Sequence, residues 1–176
     1  KILTEISNGL VKDLEDIKLN ILGHEEGIQS CYYFKKILIA DSTQVDSLVI
    51  HFSNLTRDYI SIQNIAGYET LKSKGLELID NDALRLKIIS LYEYDYDILR
   101  KFEEEYSEMQ YYQSYFKEIN DILAPHILTD SINMIGLDLP LAIKKEERNK
   151  LLMYLWRIEY NRTFVLQFYH QVEKRI

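Results

Sequence analysis

The sequence predicts an all-α fold: an elongated, antiparallel, four-helix-bundle-like domain with a broken second helix and one very long central helix. Three observations predict it. Between Asn81 and Pro125, alternating steps of four and three place Leu84, Ile88, Leu91, Asp95, Ile98, Phe102, Glu105, Met109, Tyr112, Phe116, Ile119 and Leu123 on one seam. All but Asp95 and Glu105 are apolar or aromatic, and no Gly or Pro lies between them. Similar seams run near both ends of the chain. With only 6 Gly and 2 Pro in 176 residues, the turns of a many-stranded β fold are lacking.

The first helix is expected over residues 1–40, with Leu3, Leu10, Leu14, Ile17, Ile21, His24, Ile28, Cys31 and Leu38 facing inward. Gly9, Gly23 and Gly27 each cost it about 1 kcal/mol against Ala, so it depends on packing. Because the seam begins almost at Lys1 without a cap, the helix is expected to continue upstream. Ala40–Val45 reads as a connection, and Asp46 or Ser47 as the cap of a short helix over 46–59. Ile60–Asn64 reads as a break, and a second short helix over 65–74 stops at Gly75. Leu76, Leu78 and Ile79 read as a plug at the end of the core.

Asp80 or Asn81 caps the central helix, 81–124, which would span roughly 60 Å if unbroken. Tyr92, Leu99 and Tyr106 widen its apolar face. Glu103–Glu105 and Glu108 read as a solvated acidic flank. Pro125 ends or kinks it, and Ile127–Ile135 reads as a further helical turn or two before Gly136. After a loop at Leu137–Leu141, the last helix, 145–176, carries Arg148, Leu151, Leu155, Ile158, Arg162, Val165, Tyr169, Val172 and Ile176 inward, flanked by Leu152, Trp156, Leu166 and Phe168. All of this fits within one domain, 1–176.

Composition narrows function by exclusion. A net charge of −7 offers no basic stripe for a phosphate backbone, so a nucleic-acid partner is not expected. Hydrophobic residues at 47% with charged residues at 28% describe a folded, soluble fragment. The lone Cys31 excludes an internal disulfide, and no run of about 18 apolar residues occurs.

Gly67-Tyr68-Glu69-Thr70-Leu71-Lys72-Ser73-Lys74-Gly75-Leu76, continuing through Leu78-Ile79 and Ala83-Leu84-Arg85 to Tyr92, resembles the central motif of an uncharacterised family of short bacterial single-pass membrane proteins. Ile2-Leu3-Thr4-Glu5-Ile6 with Asp13-Leu14-Glu15 is similar to the segment that follows the membrane helix in that family. The resemblance implies a transmembrane helix upstream and a helical domain facing the periplasm from the inner membrane. It implies no catalytic or ligand residues.

The candidates for chemistry are few. None of His24, His51, His126 and His170 follows a Glu by three residues, as carboxylate-bridged metal bundles require. His170 and Glu173 have that spacing reversed. His24 on the first seam reads as a hydrogen-bonded core histidine, and Cys31 as a small buried apolar residue. No nucleophile triad, phosphate loop or zinc cluster is present, so no metal, no cofactor and no enzyme is expected. Asn54-Leu55-Thr56 and Asn161-Arg162-Thr163 match the glycosylation pattern. Of the 14 tyrosines, Tyr92, Tyr94, Tyr96, Tyr106, Tyr111, Tyr112 and Tyr115 lie on the central helix. They read as a boundary layer with hydroxyls in water, or as the rim of a ligand site.

The seam charges are the sharpest feature. Asp95, Glu105 and Arg162 point inward, where an unpaired charge is costly. Antiparallel register predicts a buried Arg162–Glu105 ion pair, structural or ligand-binding, with Asp95 near an end or facing water. The expected function is a non-enzymatic extracytoplasmic helical domain that senses a small ligand or binds a protein partner. The alternative is a structural module that forms a homodimer or binds an envelope protein; an enzyme with an unrecognised site ranks third.

Overall fold

In a computed structural model, described for residues 1–40 and 46–176, nearly all regular structure is helical. The order is α1 (Ile2–Ile39), α2 (Leu48–Leu55), α3 (Ala66–Lys74), α4 (Asp82–Ser90), α5 (Tyr96–Glu104), α6 (Lys117–Leu123), β1 (Ile127–Thr129), β2 (Met134–Leu137) and α7 (Lys145–Arg175). The contacts divide the chain into two compact units. One comprises Lys1–Leu22, Tyr59–Tyr106 and Val165–Ile176; the other comprises Gly23–Asp58 and Ser107–Phe164. Of the expected connection Ala40–Val45, residues 41–45 lie outside the described residues.

The expected single rod over 81–124 is corrected. Asn81 does cap it, its side chain accepting from the Leu84 amide at 3.0 Å. Helix then continues through a π turn at Leu91–Asp95 into α5 and stops at Glu104. A 3₁₀ turn at Ser107–Met109 and a second π turn at Tyr112–Phe116 precede α6. Each π turn takes one residue more than an α turn and rotates the inward face. Hence Glu103, not Phe102, is buried beyond the first π turn; Leu84, ahead of it, and Tyr112 are exposed.

In the first unit, α1 buries Ile6, Asp13, Ile17, Asn20 and Ile21, whereas Leu3 is exposed and Leu10 and Leu14 only half-buried. The polar positions hold the break before α3. Asp13 accepts from the Asn64 amide (2.8 Å) and its side-chain nitrogen (2.6 Å), and Asp16 accepts from the Ile62 amide (2.8 Å). A segment with no ladder of its own thus has its amides met by carboxylates from α1. Gly67 lets α3 approach closely; a Cβ there would lie 3.0 Å from Ile6. Gly75 stops α3 at a positive φ of 107°. Of the expected plug only Ile79 is buried, Leu78 being exposed.

In the second unit, Cys31, Phe34, Leu38, Leu55, Ile119, Leu123, Leu151, Leu155 and Ile158 form the core. Ile127–Ile135, expected to add a helical turn or two, instead lie in a two-stranded antiparallel hairpin that runs to Leu137. The Asp130 carboxylate closes its turn by accepting from the Ile132 (2.9 Å) and Asn133 (2.8 Å) amides. Of the residues flanking the α7 seam, Trp156 in this unit is half exposed, while Leu166 in the first unit is buried. Ser47 precedes α2 at a positive φ of 64° and makes no side-chain cap bond.

Candidate functional site

Arg162 is completely buried in the second unit and closes the C-terminal end of α2. The last carbonyls of a helix have no intrahelical donor and carry the negative end of its dipole. Arg162 Nη2 donates to the carbonyls of Asn54 (3.3 Å), Leu55 (3.1 Å) and Arg57 (2.8 Å). Its Nη1 meets His24 Nδ1 at 3.1 Å. Burial, and then the Arg162 charge, hold His24 well below its ordinary pKa, so the ring is neutral and accepts through Nδ1. The Tyr111 ring lies 4.0 Å from the guanidinium carbon, an attractive cation–π distance. Gly27 of α1 leaves the room: a Cβ there would stand 2.6 Å from Arg162 Cζ and 2.8 Å from Cδ.

The same short stretch carries a surface depression on its outer side. Phe52, Ser53, Thr56, Arg57, Asp58, Tyr112 and Phe116 line a hollow of about 640 Å³. Tyr112 stacks on Phe116 (centroids 4.6 Å apart), and Phe52 meets Phe116 edge-on at 6.2 Å. Asp58 ties the two sides together by accepting from the amides of Tyr111 (2.6 Å) and Tyr112 (3.3 Å). Burial raises its pKa, opposed by those two bonds and by the Arg162 charge. The exposed Arg57 side chain has no carboxylate within ion-pair reach among the described residues. Its backbone carbonyl is fixed by Arg162 while its guanidinium is left for solvent or a ligand. An aromatic wall beside an uncommitted guanidinium is the chemistry that recognises a flat or apolar body bearing an anionic group.

Arg162 and Glu105, expected as a buried ion pair, fall in different units. Glu105 follows the end of α5, is exposed, and lies 3.6 Å from Arg100. The pairing assumed an unbroken rod, and the helix stops one residue earlier. Asp95, expected near an end or facing water, is buried and bonded to Arg175, in the last turn of α7, and to Gln171 (3.1 Å). Glu103, expected on a solvated flank, accepts from Ser61 (3.1 Å) and Tyr169 in the first unit's interior. Burial lifts its carboxyl to a pKa of about 7.

The tyrosines divide. Tyr92, Tyr96, Tyr111 and Tyr115 are buried, and the Tyr96 hydroxyl donates to Asp13 at 2.8 Å, while Tyr94, Tyr106 and Tyr112 are exposed. Only Tyr112 reaches the hollow. Burial raises the Cys31 thiol to about 12, leaving it unreactive. Asn54 and Asn161 of the two sequons are buried. His170 and Glu173 form an exposed pair at 3.3 Å. Among the described residues no three metal-ligating side chains converge, and no helix is long and apolar enough to cross a membrane. Sequence reasoning missed Arg57, Phe52 and Phe116 as a group. Phe116 is on the central seam and Phe52 within the short helix over 46–59, and only the fold brings them together. Comparison with protein family models, curated proteins and solved structures found no match for this chain.

Proposed function

We propose that this chain is the binding domain of a membrane-tethered, extracytoplasmic protein, and that it recognises a small ligand without transforming it. The tether and the periplasmic orientation rest on the resemblance of the Gly67–Leu76 stretch and the opening segment to the single-pass family. The binding reading rests on one observation: the hollow of Phe52, Arg57, Tyr112 and Phe116 lies on a segment whose main chain Arg162 and Asp58 hold in place. A site fixed before its ligand arrives loses less conformational entropy on binding. The buried ionisable groups nearby serve structure: His24 is neutral, Cys31 is protonated, and Arg162 is bonded to carbonyls.

The ligand class is an aromatic or apolar body with a carboxylate. With 4-fluorobenzoate as probe, the fluorine resonance is expected to broaden in the presence of the protein. Broadening should be lost in Arg57→Gln and reduced in Phe116→Ala, with both variants folded by circular dichroism. Equal broadening by wild type and Arg57→Gln would remove the site. For the tether, the intact gene product should fractionate with membranes and be digested by protease added to the periplasmic side.

Homodimerisation is a second reading, favoured by Met153, Trp156 and Tyr160, which follow one another along an exposed stripe of α7. Sedimentation that changes with concentration, and a monomeric Trp156→Glu variant, would support it. A wild-type monomer at every concentration excludes it.

A further inference from the structure

The first unit carries a hollow of different chemistry. Leu86, Lys87 and Ser90 of α4, with Lys174 and Arg175 from the last turn of α7, line a depression of about 420 Å³. Arg175 is built into it: its guanidinium is ion-paired to buried Asp95 and donates to Ser90 Oγ at 3.1 Å. That pairing cancels one positive charge. Lys87 and Lys174 have no carboxylate within ion-pair reach among the described residues, and the neighbouring Glu173 is paired with His170. In a chain of net charge −7, two uncompensated ammonium groups therefore face one cavity.

Two like charges around a hollow repel, and an anion of matching charge converts that repulsion into attraction. The lining supplies donors of three kinds: two mobile ammonium groups, a guanidinium held by Asp95, and a serine hydroxyl. The size exceeds what a bare ion needs and falls within the range of small-molecule pockets. Leu86, largely exposed at the edge, offers an apolar wall to whatever carries the anion. We infer that this pocket binds a phosphomonoester dianion borne on a small organic body, its oxygens met by Lys87, Lys174, Ser90 and the outer edge of Arg175. That chemistry has two sources, a soluble organic phosphate or a lipid whose headgroup is a bare phosphomonoester.

A competing account is that Lys174 and Arg175 only offset the negative end of the α7 dipole. Titration of glycerol 3-phosphate into the isotopically labelled chain, followed by amide shifts at low ionic strength, separates the two. Flotation with phosphatidylcholine vesicles, with and without phosphatidic acid, runs in parallel. Saturable shifts confined to residues 86–90 and 172–176 are expected. Lys87→Gln with Lys174→Gln should weaken binding by about tenfold or more, whereas Lys145→Gln should leave it unchanged. Binding of glycerol 3-phosphate without flotation assigns the soluble source. Flotation that requires phosphatidic acid, lost in the double variant, assigns the lipid. Neither response, or one that survives the double substitution, overturns the site. Melting curves of the double variant matching wild type confirm that a loss reflects binding rather than folding, and Lys87→Gln alone supplies the same test if they do not.

Discussion

Alanine at position 27 is expected to lower the melting temperature by about 10 °C or more, although Gly→Ala within a helix ordinarily stabilises by about 1 kcal/mol. The sign reverses because the new methyl would occupy the path of Arg162, 2.6 Å from Cζ. A flexible side chain at the surface could step aside, but this one is fully buried and bonded to His24 and three carbonyls. Moving it strands those carbonyls at the end of α2 and buries a charge without its partners, a cost of roughly 3 kcal/mol or more. Arg162→Met should itself be strongly destabilising for the same reason. The double variant should be less destabilised than the sum of the two, because the clash disappears with the guanidinium. Thermal melts by circular dichroism read all three. A Gly27→Ala protein more stable than wild type would mean that Arg162 does not pass this glycine.

The second large effect is expected in the pH dependence of stability. Glu103 is buried, and desolvation lifts its carboxyl from 4.5 to about 7 against the pull of Tyr169 and Ser61. An acid whose pKa is raised on folding stabilises the fold fully below its unfolded value and loses that contribution as pH rises through its folded value. Stability from this group should therefore fall between about pH 4.5 and 7, by about 3 kcal/mol at most, and level off above. Glu103→Gln, neutral at every pH, should remove the slope and be the more stable protein at pH 8. Denaturant midpoints of both proteins from pH 4 to pH 9 measure it. A difference between them that does not vary with pH would show that Glu103 stays ionised.

The α7 seam was legible almost in full, from Leu151 to Val172, because no π turn or break disturbs its period. Arg162 stood out there as a buried charge, but it bonds three backbone carbonyls, which no side-chain pattern names, besides His24 and the Tyr111 ring. Helix stops at Gly75 and around Pro125 were legible because glycine permits the positive φ that ends α3 and proline fixes φ and lacks the amide hydrogen. The break at Glu105 was not, since Glu-Glu-Glu-Tyr-Ser has no residue that forbids helix. The π turn at Leu91–Asp95 rotated the inward face without any local marker, and Glu103 beyond it is buried rather than solvated. On α1 the reading favoured Leu10 and Leu14 over Asp13, because a period counts apolar side chains. The fold instead buried a carboxylate that Asn64 and Tyr96 fully bond. The hairpin had a signal that went unused: the short, largely apolar stretches Ile127-Leu128-Thr129 and Met134-Ile135 on either side of a polar Asp130–Asn133 turn.

At the end of α2 the clamp holds main-chain oxygens: Arg162 grips Asn54, Leu55 and Arg57 by carbonyls that every amino acid possesses. The outward side chain at position 57 can therefore be exchanged without loosening the grip. Mutation can then try one recognition chemistry after another at that wall while foldability stays intact. Selectivity in this protein should drift quickly among its descendants, and Gly27 and Arg162 should be the letters that stay.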